Sequence, residues 1–147
     1  MSNPIPSAVE PVISVTGVSR RFRTKLALDE VSLDITRGQV FGLVGANGAG
    51  KTTLIKHLLG LYAPAQGSVR VFGLDPVAEP ARVLGRIGFL SEDRDLPLWM
   101  RVEELMRYTA AFYPRWDTVY AARLREQFQL DPRARIRHLS RGELAKA

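Results

Sequence analysis

The chain has 147 residues, 46% hydrophobic and 24% charged, with a formal net charge of +6. These fractions are ordinary for a globular protein, and the length supports one domain with its own core. Cysteine is absent, which excludes a disulfide frame, a thiolate metal site and a cysteine nucleophile. No run approaches the ~20 apolar residues that a membrane-spanning helix needs.

Residues 1–10 are expected to form a flexible tail. They are rich in Pro and Ser and lack the apolar stretch of a secretory signal. Together with the missing cysteines this favours an intracellular setting. Val12–Thr16 and Leu28–Ile35 alternate as strands do. Between them lies a basic cluster, Arg20-Arg21-Phe22-Arg23-Thr24-Lys25; a second is Arg133, Arg135 and Arg137. Both suit solvated loops, and the first also suits the vicinity of a bound nucleotide. Arg37-Gly38 turns the chain into an apolar run, Val40–Val44, expected to be a buried strand.

Gly45-Ala46-Asn47-Gly48-Ala49-Gly50-Lys51-Thr52-Thr53 follows. It fits G-x-x-x-x-G-K-[ST], a phosphate-binding loop. Glycines let backbone N–H groups wrap a phosphate without obstruction. The helix behind the loop adds unpaired N–H groups and the positive end of its dipole. Lys51 is the candidate for the β- and γ-phosphates, and the Thr52 hydroxyl for Mg²⁺. Leu54, Ile55, Leu58 and Leu59 form one stripe on that helix, and Gly60 is a plausible stop. His57 is assigned to the polar side of the same helix. Gly67–Phe72 reads as another strand, Pro76–Arg86 as a weak helix interrupted by Pro80, and Ile87–Leu90 as a short strand.

Beyond Leu90 the pattern turns helical. Leu105, Met106, Thr109, Phe112 and Tyr113 keep helical spacing from Val102 to Pro114. Asp117 is a candidate cap for a second helix, which Asp131-Pro132 ends.

The phosphate loop alone fits several enzyme classes. Leu139-Ser140-Arg141-Gly142-Glu143, about 90 residues later, resembles the Leu-Ser-Gly-Gly-Gln signature of ATP-binding cassette (ABC) ATPases. It stands where that family places it, behind a helical segment. Ser140 with Glu143 also fits the S-x-x-E capping box, and both readings can hold. The resemblance runs from about Val12 to Ala147. It implies an α/β fold: a P-loop NTPase core with an antiparallel β flank (11–90) and the start of an α-helical subdomain (91–147), together an incomplete ABC ATPase domain.

The resemblance also implies roles. Phe22 matches the aromatic that stacks on adenine, although a half-buried strand-end phenylalanine reads the same way. Gly45, Ala46, Asn47, Gly48, Ala49, Gly50, Lys51, Thr52 and Thr53 would hold the phosphates of ATP. Glu92 takes the place of the family's glutamine and would serve, with Thr52, as a Mg²⁺ ligand and, with Lys51, in catalysis. Ser140 and the Gly142 backbone would donate to the γ-phosphate held by a second ABC ATPase subunit. Arg141 and Glu143 depart from the family's Gly and Gln. Leu96-Pro97-Leu98-Trp99-Met100 would either border the groove for a membrane-spanning subunit or pack in the core. Trp99-Met100, Phe112-Tyr113-Pro114, Trp116-Asp117 and Leu130-Asp131-Pro132 look like a bacterial exporter subgroup.

The implied function is that of an ATP-hydrolysing transport subunit on the cytoplasmic face of the cell membrane, with no nucleic-acid partner. No apolar strand ending in Asp-Glu follows the signature. The chain is therefore expected to be truncated and not catalytically competent alone. A soluble ABC ATPase acting on ribosome or DNA, another phosphate-loop enzyme, and a non-catalytic nucleotide-binding fragment are the rival readings.

Overall fold

The computed structural model describes residues 10–90 and 96–147. The expected tail, apart from Glu10, and the Glu92 position lie outside the described residues. The chain divides into two compact units, 1–87 and 88–147.

The first unit is built on a three-stranded antiparallel sheet of order β2-β1-β3: β1 Ile13–Phe22, β2 Lys25–Ile35 and β3 Gln66–Val71. The strands run longer than alternation alone indicates, because β1 and β2 continue through bulges. A bulge leaves backbone groups without ladder partners, and two serines supply them. Gly17 N–H donates to Ser32 Oγ at 2.8 Å, and Glu30 N–H donates to Ser19 Oγ at 2.9 Å. Helix α1, Lys51–Leu58, follows the phosphate loop and buries Leu54 against Val15, Val18, Leu28, Val69, Val71 and Val83.

Helix α2, Pro80–Leu84, has its proline at the first turn. Pro80 thus starts the helix rather than interrupting it, since the missing N–H has no partner at that position anyway. His57 is not on the polar side of α1. It is fully buried, because residues 54, 57 and 58 share one face at i, i+3 and i+4 spacing. Its Nδ1 lies 2.8 Å from the Thr53 carbonyl. A carbonyl only accepts, so Nδ1 carries the proton. Nε2 is buried with no hydrogen-bond partner among the described residues.

Two expected strands do not form. Val40–Val44 and Gly88–Leu90 are irregular, and Ile87 closes the turn after α2. Strands are stabilised by ladder partners on their flanks. Among the described residues, no backbone pairs with either run, and the apolar side chains stay outside. Val40, Val44 and Leu90 are exposed.

The second unit has a core of Met100, Leu130 and Ile136 with Val102 and Leu105 from α3, Val102–Ala110, whereas α4, Thr118–Gln127, buries no residue fully. Asp117 caps α4, with Oδ1 accepting from Tyr120 N–H at 2.8 Å. A two-segment pairing holds the chain before α3 to the chain before the signature. Ile136 N–H donates to the Met100 carbonyl at 2.9 Å, and Val102 N–H to the Ala134 carbonyl at 3.0 Å. A 3-10 turn, Ile136–His138, leads to the short helix α5, Arg141–Leu144. No helix among the described residues is long and apolar enough to cross a membrane.

Candidate nucleotide-binding site

The loop Gly45–Gly50 is shaped by two glycines with φ of +79° and +94°, Gly48 and Gly50. Side chains disfavour this region, and Gly50 also has no room for one. A Cβ there would lie 2.2 Å from the Ala27 carbonyl oxygen. The loop therefore packs backbone to backbone on β2. Gly50 is also the N-cap of α1 and supplies no side-chain acceptor, and the first turn holds no acidic residue. The N–H groups of the first turn therefore have no side-chain cap at Gly50 and no nearby carboxylate on the helix to offset their dipole, which suits an anion.

Lys51 folds back over the loop. Its Nζ donates to the Gly45 carbonyl at 2.6 Å and the Ala46 carbonyl at 3.0 Å. These contacts hold a cation at the loop where phosphate oxygens could replace the carbonyls at little cost, since charge-assisted bonds are exchanged for stronger ones. Thr52 is exposed on the first turn of α1, while the Thr53 carbonyl is engaged by His57. The donor set fits a polyphosphate. It also fits Mg²⁺, which binds through one or two protein oxygens, waters and phosphates rather than in a protein cage. Among the described residues there is no cluster of three or more His, Cys, Asp or Glu.

Phe22 ends β1 at the hairpin tip and is 37% exposed. Two side chains brace it. The Tyr62 ring meets its edge at a centroid distance of 5.5 Å, and the Arg20 guanidinium lies 4.9 Å from its centroid. Arg20 is itself fixed by donating Nη1–H to the Ala63 carbonyl at 3.2 Å, and lies 5.2 Å from the Tyr62 ring. Lys56 is 5.6 Å from that ring. Arg20 shares the Phe22 face because strand residues two apart do. Tyr62 has no local signal pairing it with Phe22. It arrives through the turn after α1, where Leu61 N–H and Tyr62 N–H both donate to the Lys56 carbonyl.

The signature segment is described within the helical unit. Ser140 N–H donates to Glu143 Oε2 at 2.8 Å, and Glu143 N–H donates to Ser140 Oγ at 3.3 Å. The capping box is therefore formed. Hydrogen bonds from the Ser140 hydroxyl and N–H hold the Glu143 carboxyl below its ordinary range. Leu139 and Leu144 pack on the second core, so the cap is anchored at both ends. Ser140 and Gly142 are exposed, and a Cβ on Gly142 would meet nothing closer than Ser140 Oγ at 4.0 Å. The Leu96–Met100 stretch divides between its two expected fates. Met100 is core, whereas Leu98 and Trp99 are exposed. His138 is exposed and accepts from Arg137 Nε at 3.0 Å.

Known proteins share this arrangement. Residues 28–147 match the family described as "ABC transporter". The chain is 40% identical over 107 residues to the ABC transporter ATP-binding protein NatA of Bacillus subtilis, covering 69% of this chain and 44% of that one. It is 35% identical over 148 residues to a Ralstonia nicotianae protein named "Putative ribose/galactose/methyl galactoside import ATP-binding protein", covering 92% of this chain and 28% of that one. The chain thus spans less than half the length of either relative. Among solved structures it resembles the ATP-binding subunit of an ABC transporter, with a TM-score of 0.82 at 28% identity over 92% of this chain and 58% of that one. Those neighbours carry the α/β ABC ATPase fold, of which the sheet and helices described above are an incomplete part. The chain therefore belongs to the ABC transporter family of ATP-binding domains.

Proposed function

We propose that the chain binds ATP as part of the nucleotide-binding subunit of an ABC transporter. The observation that carries this is the Lys51 ammonium bonded to the Gly45 and Ala46 carbonyls above the uncapped N-terminus of α1. Gly45 to Thr53 hold the phosphates, and the partly exposed Phe22 takes the adenine ring, for which a π surface suffices. Thr52, with Glu92, would hold Mg²⁺, whose charge offsets that of the phosphates and of the Glu92 carboxylate. Ser140 and the Gly142 backbone would serve the γ-phosphate bound by a second subunit. The Ser140 hydroxyl has one proton, which bonds the Glu143 carboxylate here and would turn to the phosphate on binding.

The division into a nucleotide-binding core at 11–90 and a helical subdomain at 91–147 belongs to the same proposal. So does a place on the cytoplasmic face of the membrane, against membrane-spanning subunits. The exposed Leu98 and Trp99 suit that docking. Export is the direction we favour, on the Trp99-Met100 and Trp116-Asp117 resemblance; the import name belongs to the Ralstonia relative. Without a strand ending in Asp-Glu, the 147 residues bind nucleotide but do not sustain turnover.

Titration calorimetry with MgATP tests this reading. Lys51→Ala is expected to weaken binding by about 100-fold, the loss of a charge-assisted contact. Equal affinity of the two proteins would refute the loop assignment. Steady, Lys51-dependent phosphate release by the purified chain would refute the absence of turnover.

A further inference from the structure

Phe22 and Lys25 are direct cross-strand partners at the tip of the β1–β2 hairpin. Residues opposite each other in an antiparallel pair project to the same face, with Cβ atoms about 5 Å apart. The hairpin therefore presents a π surface and a cation side by side. The Lys25 side chain reaches the phosphate loop: its Nζ stands 3.0 Å from where a Cβ of Gly48 would be. Among the described residues the Lys25 ammonium has no hydrogen bond or ion pair, and the three salt bridges all lie elsewhere, at Arg70–Asp75, Arg82–Glu79 and Arg125–Glu126.

Three sources of positive potential thus gather at one loop: Lys51, the N-terminus of α1 and Lys25. No carboxylate pairs with either lysine among the described residues. Such crowding is unfavourable in the empty loop and is relieved by an anion. Lys25 is exposed, so its ammonium is free to swing from Gly48 to a phosphate oxygen without breaking a bond.

We propose that Lys25 is a second phosphate-binding lysine, contributed by the hairpin rather than by the loop. The hairpin then holds a nucleoside polyphosphate at two points, with Phe22 on the base and Lys25 on the phosphate chain. This rests on the nucleotide-binding reading and adds to it a residue outside the loop and its helix.

The test is MgATP titration of the 147-residue chain and four variants at low and high salt: Lys25→Met, Lys25→Arg, Arg23→Met and Lys51→Ala. Lys25→Met is expected to weaken MgATP binding by about tenfold at 50 mM salt, a charge-assisted contact discounted for its exposure. The deficit should shrink to about twofold at 500 mM, as screening removes the wild-type advantage. Lys25→Arg should stay within about threefold of wild type. Arg23→Met, in the same turn, should bind like wild type and so exclude a mere change in net charge. Circular dichroism melting confirms that each variant is folded. Wild-type binding that is lost in Lys51→Ala but unchanged in Lys25→Met overturns the Lys25 assignment and leaves the loop reading standing. An equal loss in Arg23→Met overturns it too, by showing that net charge alone is at work. A wild-type chain that binds no MgATP overturns both.

Discussion

Val69 and Val71 in β3 are 4% and 1% exposed, whereas Val40 and Val44 before the phosphate loop are 104% and 94% exposed. Each segment carries two valines. They differ in neighbours. β3 pairs with β1 over residues Ile13 to Ser19 and lies over Leu54 of α1. Val40–Val44 has no ladder partner among the described residues. A β-branched run becomes a strand only where another backbone takes up its N–H and C=O groups. The phosphate loop keeps its shape despite the unformed strand before it. It is held from the other side, by Gly50 against β2, by Lys51 across Gly45 and Ala46, and by Leu54 in the core.

The strongest way to break this contrast is Gly50→Ala. The new methyl would meet the Ala27 carbonyl at 2.2 Å in a backbone with φ of +94°. The expected cost is about 3 kcal/mol of unfolding free energy, from clash and left-handed strain together, with loss of MgATP binding. Urea unfolding measures it. A change under about 0.5 kcal/mol would mean that the loop does not rest on β2.

A paired substitution sharpens the same comparison at intermediate size. Val69→Ala removes buried methyl groups and should cost about 2 kcal/mol. Val44→Ala removes exposed ones and should change stability by less than about 0.5 kcal/mol. Val44→Asp should in addition reduce self-association in light scattering, because an exposed apolar run is an association surface. Equal costs for the two alanine variants would show Val44 to be buried in solution.

The smallest effect concerns the helical unit. The folded Glu143 carboxyl titrates below its usual value of 4.5 because Ser140 bonds its charged form. The capping contribution is therefore fully present above that value. It is lost as pH falls through the lowered folded value. Carboxyl chemical shifts of Glu143 should show a depressed midpoint, and Ser140→Ala should return it toward the ordinary range. A midpoint unchanged by Ser140→Ala would remove the cap as the cause.

Much of the site was legible in local order. Glycines at fixed offsets, a lysine and a threonine need no distant partner to announce a phosphate loop, and S-x-x-E announced the cap that Ser140 and Glu143 form. Asp117 likewise carried its own signal. Two misread positions turn on local helix geometry, and other contacts on what lies across space. His57 sounds polar in the sequence but shares a helix face with Leu54. Pro80 reads as a breaker until its place at a helix start is known. Tyr62 and Arg20 are 42 residues apart and meet only because the turn after α1 brings Tyr62 to the end of β1.

The sequence by itself determined the chemistry of the loop, the family, and the identity of the groups that would meet phosphate, because these reside in residue type and spacing. Only the tertiary structure decided which apolar runs become strands, that Tyr62 and Arg20 meet Phe22, and that Lys25 reaches Gly48. Those outcomes depend on pairing and packing between segments far apart in the chain, where no local pattern records the partner.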